Sequence, residues 1–139
     1  MIHKLFGAIG FVFMLAAQNA SAADLKITIS QIQSGSGELR IALYKQADQW
    51  LTKSFKKIQE PAVAGSVTVI ISDIPAGDYA VALFHDVDSD GKMAKNFLGI
   101  PKEPYGFSND ARGSFGPPSF DASKFAVPAE GAAITIKLE

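Results

Sequence analysis

The chain has 139 residues, no cysteine, and 13 basic against 14 acidic side chains, for a net charge of −1. The missing cysteine excludes disulfides, thiolate nucleophiles, cysteine-type zinc sites and the lipid anchor of a bacterial lipoprotein. The near-neutral balance gives no electrostatic footprint for nucleic acid or for an anionic membrane surface.

The first element is a leader. His3 and Lys4 precede an apolar stretch from Leu5 to Ala17, polar Gln18 and Asn19 follow, and Ala20-Ser21-Ala22 closes it with small residues. These are the three regions of a cleavable secretory signal. The apolar stretch is too short for a membrane span, which needs about 20 residues. Cleavage is expected after Ala22, giving a signal peptide over 1–22 and a single domain over 23–139. The product is expected to be soluble, periplasmic or secreted, with no membrane insertion after cleavage.

Period-two alternation then recurs: Leu25, Ile27, Ile29; Leu39, Ile41, Leu43; Val67, Val69, Ile71; Tyr79, Val81, Leu83; and Ile134, Ile136, Leu138. Each set puts its apolar side chains on one face of a strand. Ser34-Gly35-Ser36-Gly37 and Ile74-Pro75-Ala76-Gly77-Asp78 are turn chemistry, predicting antiparallel hairpins between the first and second strands and between the third and fourth. A sixth strand is expected over Lys124 to Val127. Short strands separated by turns indicate an all-β, antiparallel β-sandwich or small barrel. Between the second and third strands Ala47, Trp50, Leu51, Ser54, Phe55 and Ile58 fall at helical spacing, predicting a short helix or turn, with Trp50 plugging one end of the core. Lys53, Lys56 and Lys57 read as a solvated face.

From Asp86 to Gly116 the alternation stops in a segment with five glycines and the aromatics Phe97, Tyr105, Phe107 and Phe115. Long loops in compact domains are usually functional or disordered, and aromatic content argues against disorder. An ordered loop pinned by its aromatics is expected, and with it the site. It begins His85-Asp86-Val87-Asp88-Ser89-Asp90-Gly91-Lys92. Carboxylates at alternate positions followed by glycine open a calcium loop, making Asp86, Asp88 and Asp90 the candidate metal ligands. The ninth and twelfth positions are Ala94 and Phe97, so the pattern is half complete; Asn96 or Glu103 supplies further oxygens only if the chain folds back. The competing reading is a tight Asp90-Gly91 turn among solvated acids.

His85 is the only histidine beyond the leader, and a strand-end histidine bonded to a neighbouring loop is the expected role. Nothing around Ser108 or Ser114 has the form of a nucleophile elbow. Ser108, Asn109 and Asp110 are expected to bond the loop's own backbone, and Glu103 to pair with Arg112.

Two stretches carry a resemblance: IPAGDYAVALFHDVDSDGKM and NFLGIPKEPYGFSNDARGSFGPPSF resemble the signature of exported bacterial "domain of unknown function 2141" proteins over most of the chain after the leader. The resemblance implies an immunoglobulin-like or transthyretin-like sandwich and carries no established activity. The matching positions are His85, Asp86, Asp88, Asp90, Glu103, Tyr105, Ser108 and Asn109. Ala94 departs from the acidic residue usual in the family.

Three functional readings follow. The first is a non-enzymatic binding or structural module whose 86–116 loop, stiffened by calcium, presents His85, Asn96, Glu103, Tyr105, Ser108 and Asn109 to an unknown ligand or envelope component. The second is a small envelope hydrolase using His85 with the clustered carboxylates. The third is a carbohydrate or cell-envelope adhesion module using Trp50 or Tyr105.

Overall fold

A computed structural model describes residues 22–93 and 101–139. The expected signal peptide, apart from Ala22, lies outside the described residues, as do Ala94, Asn96 and Phe97. Among the described residues eight strands form two sheets: β1 (Ala22–Ile32), β2 (Glu38–Tyr44), β3 (Lys56–Pro61), β4 (Gly65–Pro75), β5 (Gly77–Asp86), β6 (Tyr105–Phe107), β7 (Phe125–Val127) and β8 (Ala132–Lys137), with a four-residue helix α1 (Phe120–Ser123) before β7. One sheet has the order β4-β1-β8 and the other β3-β2-β5-β6, with β7 also pairing β5. The fold is an all-β sandwich.

All five alternating sets point inward. Leu25, Ile27, Ile29, Leu39, Ile41, Leu43, Val69, Ile71, Tyr79, Val81, Leu83, Ile136 and Leu138 are buried in one core, with Val67 and Ile134 packed on its margin. Fully burying one such side chain is worth about 1.5–3 kcal/mol, so matched strand faces stack into two layers. A register shift between Ala23 and Leu25, opposite a left-handed Asp73 (φ 58°), turns Ile74 inward as well.

The connections differ from the expected hairpins. Both predicted turns carry the chain from one sheet to the other, so β1 and β2, like β4 and β5, lie in opposite layers. Turn residues specify reversal, not the layer in which the next strand pairs. The Tyr79 hydroxyl, donating to the Pro75 carbonyl at 2.5 Å, pins the second crossing. The hairpin that does form joins β2 to β3, and β1 pairs β8 in parallel, against the antiparallel expectation.

The helical stripe is also corrected. Only a 3₁₀ turn forms, over Ala47–Gln49, and Ile58 belongs to β3, where it faces Ile41 across the ladder. Pairing with β2 satisfies the backbone of 56–61, which outweighs a weak local periodicity. Trp50 is a plug, but of a second cluster on the outer face of the β2–β5 sheet, with Tyr44, Ala80 and Phe120. Its Nε1 donates to the Pro118 carbonyl at 2.9 Å. The long loop is ordered where described, but β6 breaks it into two excursions, and Phe115 is fully exposed and pins nothing.

Candidate metal centre

Successive side chains on a strand point to opposite faces, and the end of β5 uses this alternation to separate two polar residues. His85 follows Leu83 inward, is buried, and its Nε2 lies 2.5 Å from the Ser36 carbonyl. Asp86 follows Ala82 and Phe84 to the outer face, where its side chain is 0% exposed. The two are sequence neighbours that do not share a site.

Asp86 is anchored through one oxygen. Oδ2 accepts from Arg40 Nε at 2.7 Å and from the Gly91 amide at 2.9 Å. The Arg40 guanidinium reaches on to Glu38 Oε1 at 2.8 Å. The other oxygen, Oδ1, is buried and meets no hydrogen-bond donor. Burial alone would push this carboxyl up, but hydrogen bonds from Arg40 and the Gly91 amide overcome it and hold Asp86 below its ordinary value. It stays ionised with half its charge unanswered.

What surrounds it is more acid. The chain curls through a left-handed Ser89 (φ 55°) and Gly91 (φ 79°), with Asp88 Oδ1 and Asp90 Oδ1 accepting from the Asp90 and Lys92 amides. Glu103 then returns from the far end of the excursion, buried, its Oε2 accepting from the Val87 amide at 2.8 Å. The neighbouring Pro104 carbonyl accepts from His85 N, fixing this return against β5. Asp86, Asp88, Asp90 and Glu103 each present an oxygen, all within 4.8 Å of one another. Asp88 stands against Asp86: a side-chain hydrogen bond to the Asp86 carboxylate, then loss of solvent, push its carboxyl above the ordinary value.

The structure thus brings together the three predicted ligands and supplies the fold-back that Glu103 required. Arg112 pairs with Glu139, not with Glu103. The remaining candidates go elsewhere. Ser108, buried, accepts from Val81 N at 2.9 Å and donates to the Ser123 carbonyl; Asn109 donates to the carbonyls of Ala122 and Lys124; Asp110 accepts from Lys137 N. They bond neighbouring elements, not their own loop. Tyr105 is 38% exposed on the outer face, edge-on to Phe107.

Compared with known proteins, residues 27–135 match the family model described as "Uncharacterized protein conserved in bacteria (DUF2141)". The chain belongs to the DUF2141 family. No curated protein and no solved structure matches it. Membership fixes no chemistry, so the site must be read from its own residues. Two of these escaped the sequence reading. Arg40, between inward Leu39 and Ile41, was legible as outward-facing, but its bonding to Asp86 depends on the β2–β5 register that sets Glu38 opposite Asp86. Gly37 (φ 69°) packs where a Cβ would strike the carbonyl oxygens of Asp86 and Val87, so a bare backbone there supports the base of the acidic loop.

Proposed function

We propose that this DUF2141 member is an exported, non-enzymatic β-sandwich that binds a divalent cation of the calcium type through Asp86, Asp88, Asp90 and Glu103. The observation that carries the reading is the buried Asp86 Oδ1, without a donor, in a group of carboxylates. A buried acceptor left unmatched costs about 1–3 kcal/mol, and more when charged. A cation in that position would answer it and displace the proton that the hydrogen bond to Asp86 favours on Asp88.

The donor set favours calcium. All four ligands are hard carboxylate oxygens, and His85 faces the core. Oxygens on opposite sides of a calcium ion sit about 4.8 Å apart and those on magnesium about 4.2 Å, from bond lengths of about 2.4 and 2.1 Å. The four oxygens, all within 4.8 Å of one another, fit inside the span of the larger ion. Export agrees with it, since extracellular modules use sites with dissociation constants of about 10⁻⁴ to 10⁻³ M. Among the described residues no helix is long and apolar enough to cross a membrane, and the buried face of β1 starts at Ala23, where the processed chain would begin.

The hydrolase reading loses its base, because His85 and the acids lie on opposite faces of β5. An adhesion module built on Trp50 loses the ring, which packs edge-on against Tyr44 and Phe120.

Thermal unfolding in calcium, magnesium and chelator tests the cation. Calcium at 100 times its dissociation constant should add about 2.7 kcal/mol over chelator, with a smaller increment from magnesium. Superimposable curves in calcium and chelator would remove the cation from the account.

A further inference from the structure

The outer face of the β2–β5 sheet carries a second feature, bordering the acidic loop at Arg40 and Gly91 but containing none of its four carboxylates. By register its rows run Glu38 opposite Asp86, Arg40 opposite Phe84, Ala42 opposite Ala82, and Tyr44 opposite Ala80. The first row belongs to the acidic cluster, and the last is covered by Trp50 and Phe120. Between them lies an open groove of about 970 Å³.

Its floor is made by absence. Ala42 and Ala82 stand side by side with Lys57 beyond Ala42 on β3 and Phe107 beyond Ala82 on β6. Four strands at spacings of about 4.8 Å give a trough about 14 Å long. Phe84 and Tyr105 stand along one side in the next row. Leu51 and Phe115, 38% and 106% exposed, stand on the rim with nothing to cover them. Uncovered large apolar side chains around a concave, apolar floor mark a binding groove.

The charges of the lining select the occupant. Arg40, Lys57, Arg112 and Lys137 face only Asp110 and Glu139, in a chain whose net charge is −1. Arg40 is held by Asp86 and Glu38, and Arg112 by Glu139, while Lys57 enters no ion pair among the described residues. The floor offers alanine methyls and the Phe107 ring, which suit an acyl chain, while Gln59, Tyr105 and Ser114 also line the groove.

We propose that this groove binds a single-chain anionic amphiphile of the fatty-acid class, its carboxylate at Lys57 and its acyl chain along Ala42 and Ala82 toward Phe107. The site shares no ligand with the acidic loop, and it binds in the absence of a divalent cation.

Trp50 is the only tryptophan and lies 6.0 Å from Phe107 between ring centroids, so its fluorescence reports on the groove. The probe is laurate below its micelle concentration, titrated in chelator so that the result does not depend on the cation. A saturable change is expected, at least tenfold tighter than with the uncharged dodecyl maltoside. Ala82→Leu, filling the trough, should weaken binding at least tenfold, since about three methylenes of contact are displaced. Lys57→Glu, on an exposed edge strand, should weaken it about fivefold. Ala42→Leu repeats the blockade if Ala82→Leu melts early. No saturable change, equal affinity for the uncharged amphiphile, or variants that all bind like the parent would overturn the proposal. So would binding to anionic vesicles without binding to laurate.

Discussion

On one side of Pro104 the excursion from β5 gathers Asp86, Asp88, Asp90 and Glu103 with their oxygens toward one another, and a buried oxygen there has no donor. On the other side Ser108, Asn109 and Asp110 each spend their side chain on the backbone of a neighbouring element. Both groups are polar residues in one irregular stretch, and the sequence nominated Ser108 and Asn109 as site residues along with the acids. The difference separates polar groups whose bonds complete the fold from those for which a cation is proposed. In the second group every bond made is one the folded chain needs. In the first, four carboxylates are brought together, and Arg40 reaches one oxygen of Asp86 while the other, Oδ1, meets no donor.

Asp86→Asn tests the comparison most severely. It removes the charge that holds Arg40 and is expected to cost about 3 kcal/mol in chelator and to abolish the calcium increment, read by denaturant unfolding in both buffers. An unchanged increment would place the cation elsewhere. Ser108→Ala should cost about 2 kcal/mol, because the buried Val81 amide loses its acceptor. That loss should be the same with calcium and with chelator; a difference between buffers would mean that the two halves of the segment are coupled.

The smallest expected effect on the empty protein is that of Asp88→Asn, which should leave stability in chelator unchanged or slightly raised while removing the calcium increment. Its pH dependence sharpens the point. The folded value of Asp88 lies above its ordinary 3.8, so its contribution is present at lower pH and is lost as pH rises through that raised value. Asp86 runs the other way: its folded value lies below 3.8, so its stabilisation is present above 3.8 and is lost as pH falls through the depressed value. Melting profiles from pH 3 to 6 in chelator should therefore show a decline above 3.8 in the parent that Asp88→Asn lacks. Identical profiles would separate Asp88 from Asp86.

Much of the scaffold was legible in the chain. Period-two alternation in five segments fixed which side chains enter the core, because only one face of each strand can be buried in a sandwich. The spacing of Asp86, Asp88, Asp90 and Gly91 fixed the start of the acidic loop through local chain geometry. What the chain concealed was long-range. β3 and β6 are strands because a neighbour in the ladder satisfies their backbone, although Ile58 of β3 ends a helical stripe that begins at Ala47 and 105–107 is too short to show a period. Gly37 and Arg40 reach the loop only because β2 lies beside β5. The sequence by itself determined an inward face, a run of acids and a set of reversals. Tertiary structure decided the partners: which layer each reversal leads to, that Glu103 closes on the acids while Arg112 pairs with Glu139, and that Asp86 is buried with one oxygen answered and one not. Those depend on pairing between residues tens of positions apart, which local periodicity does not encode.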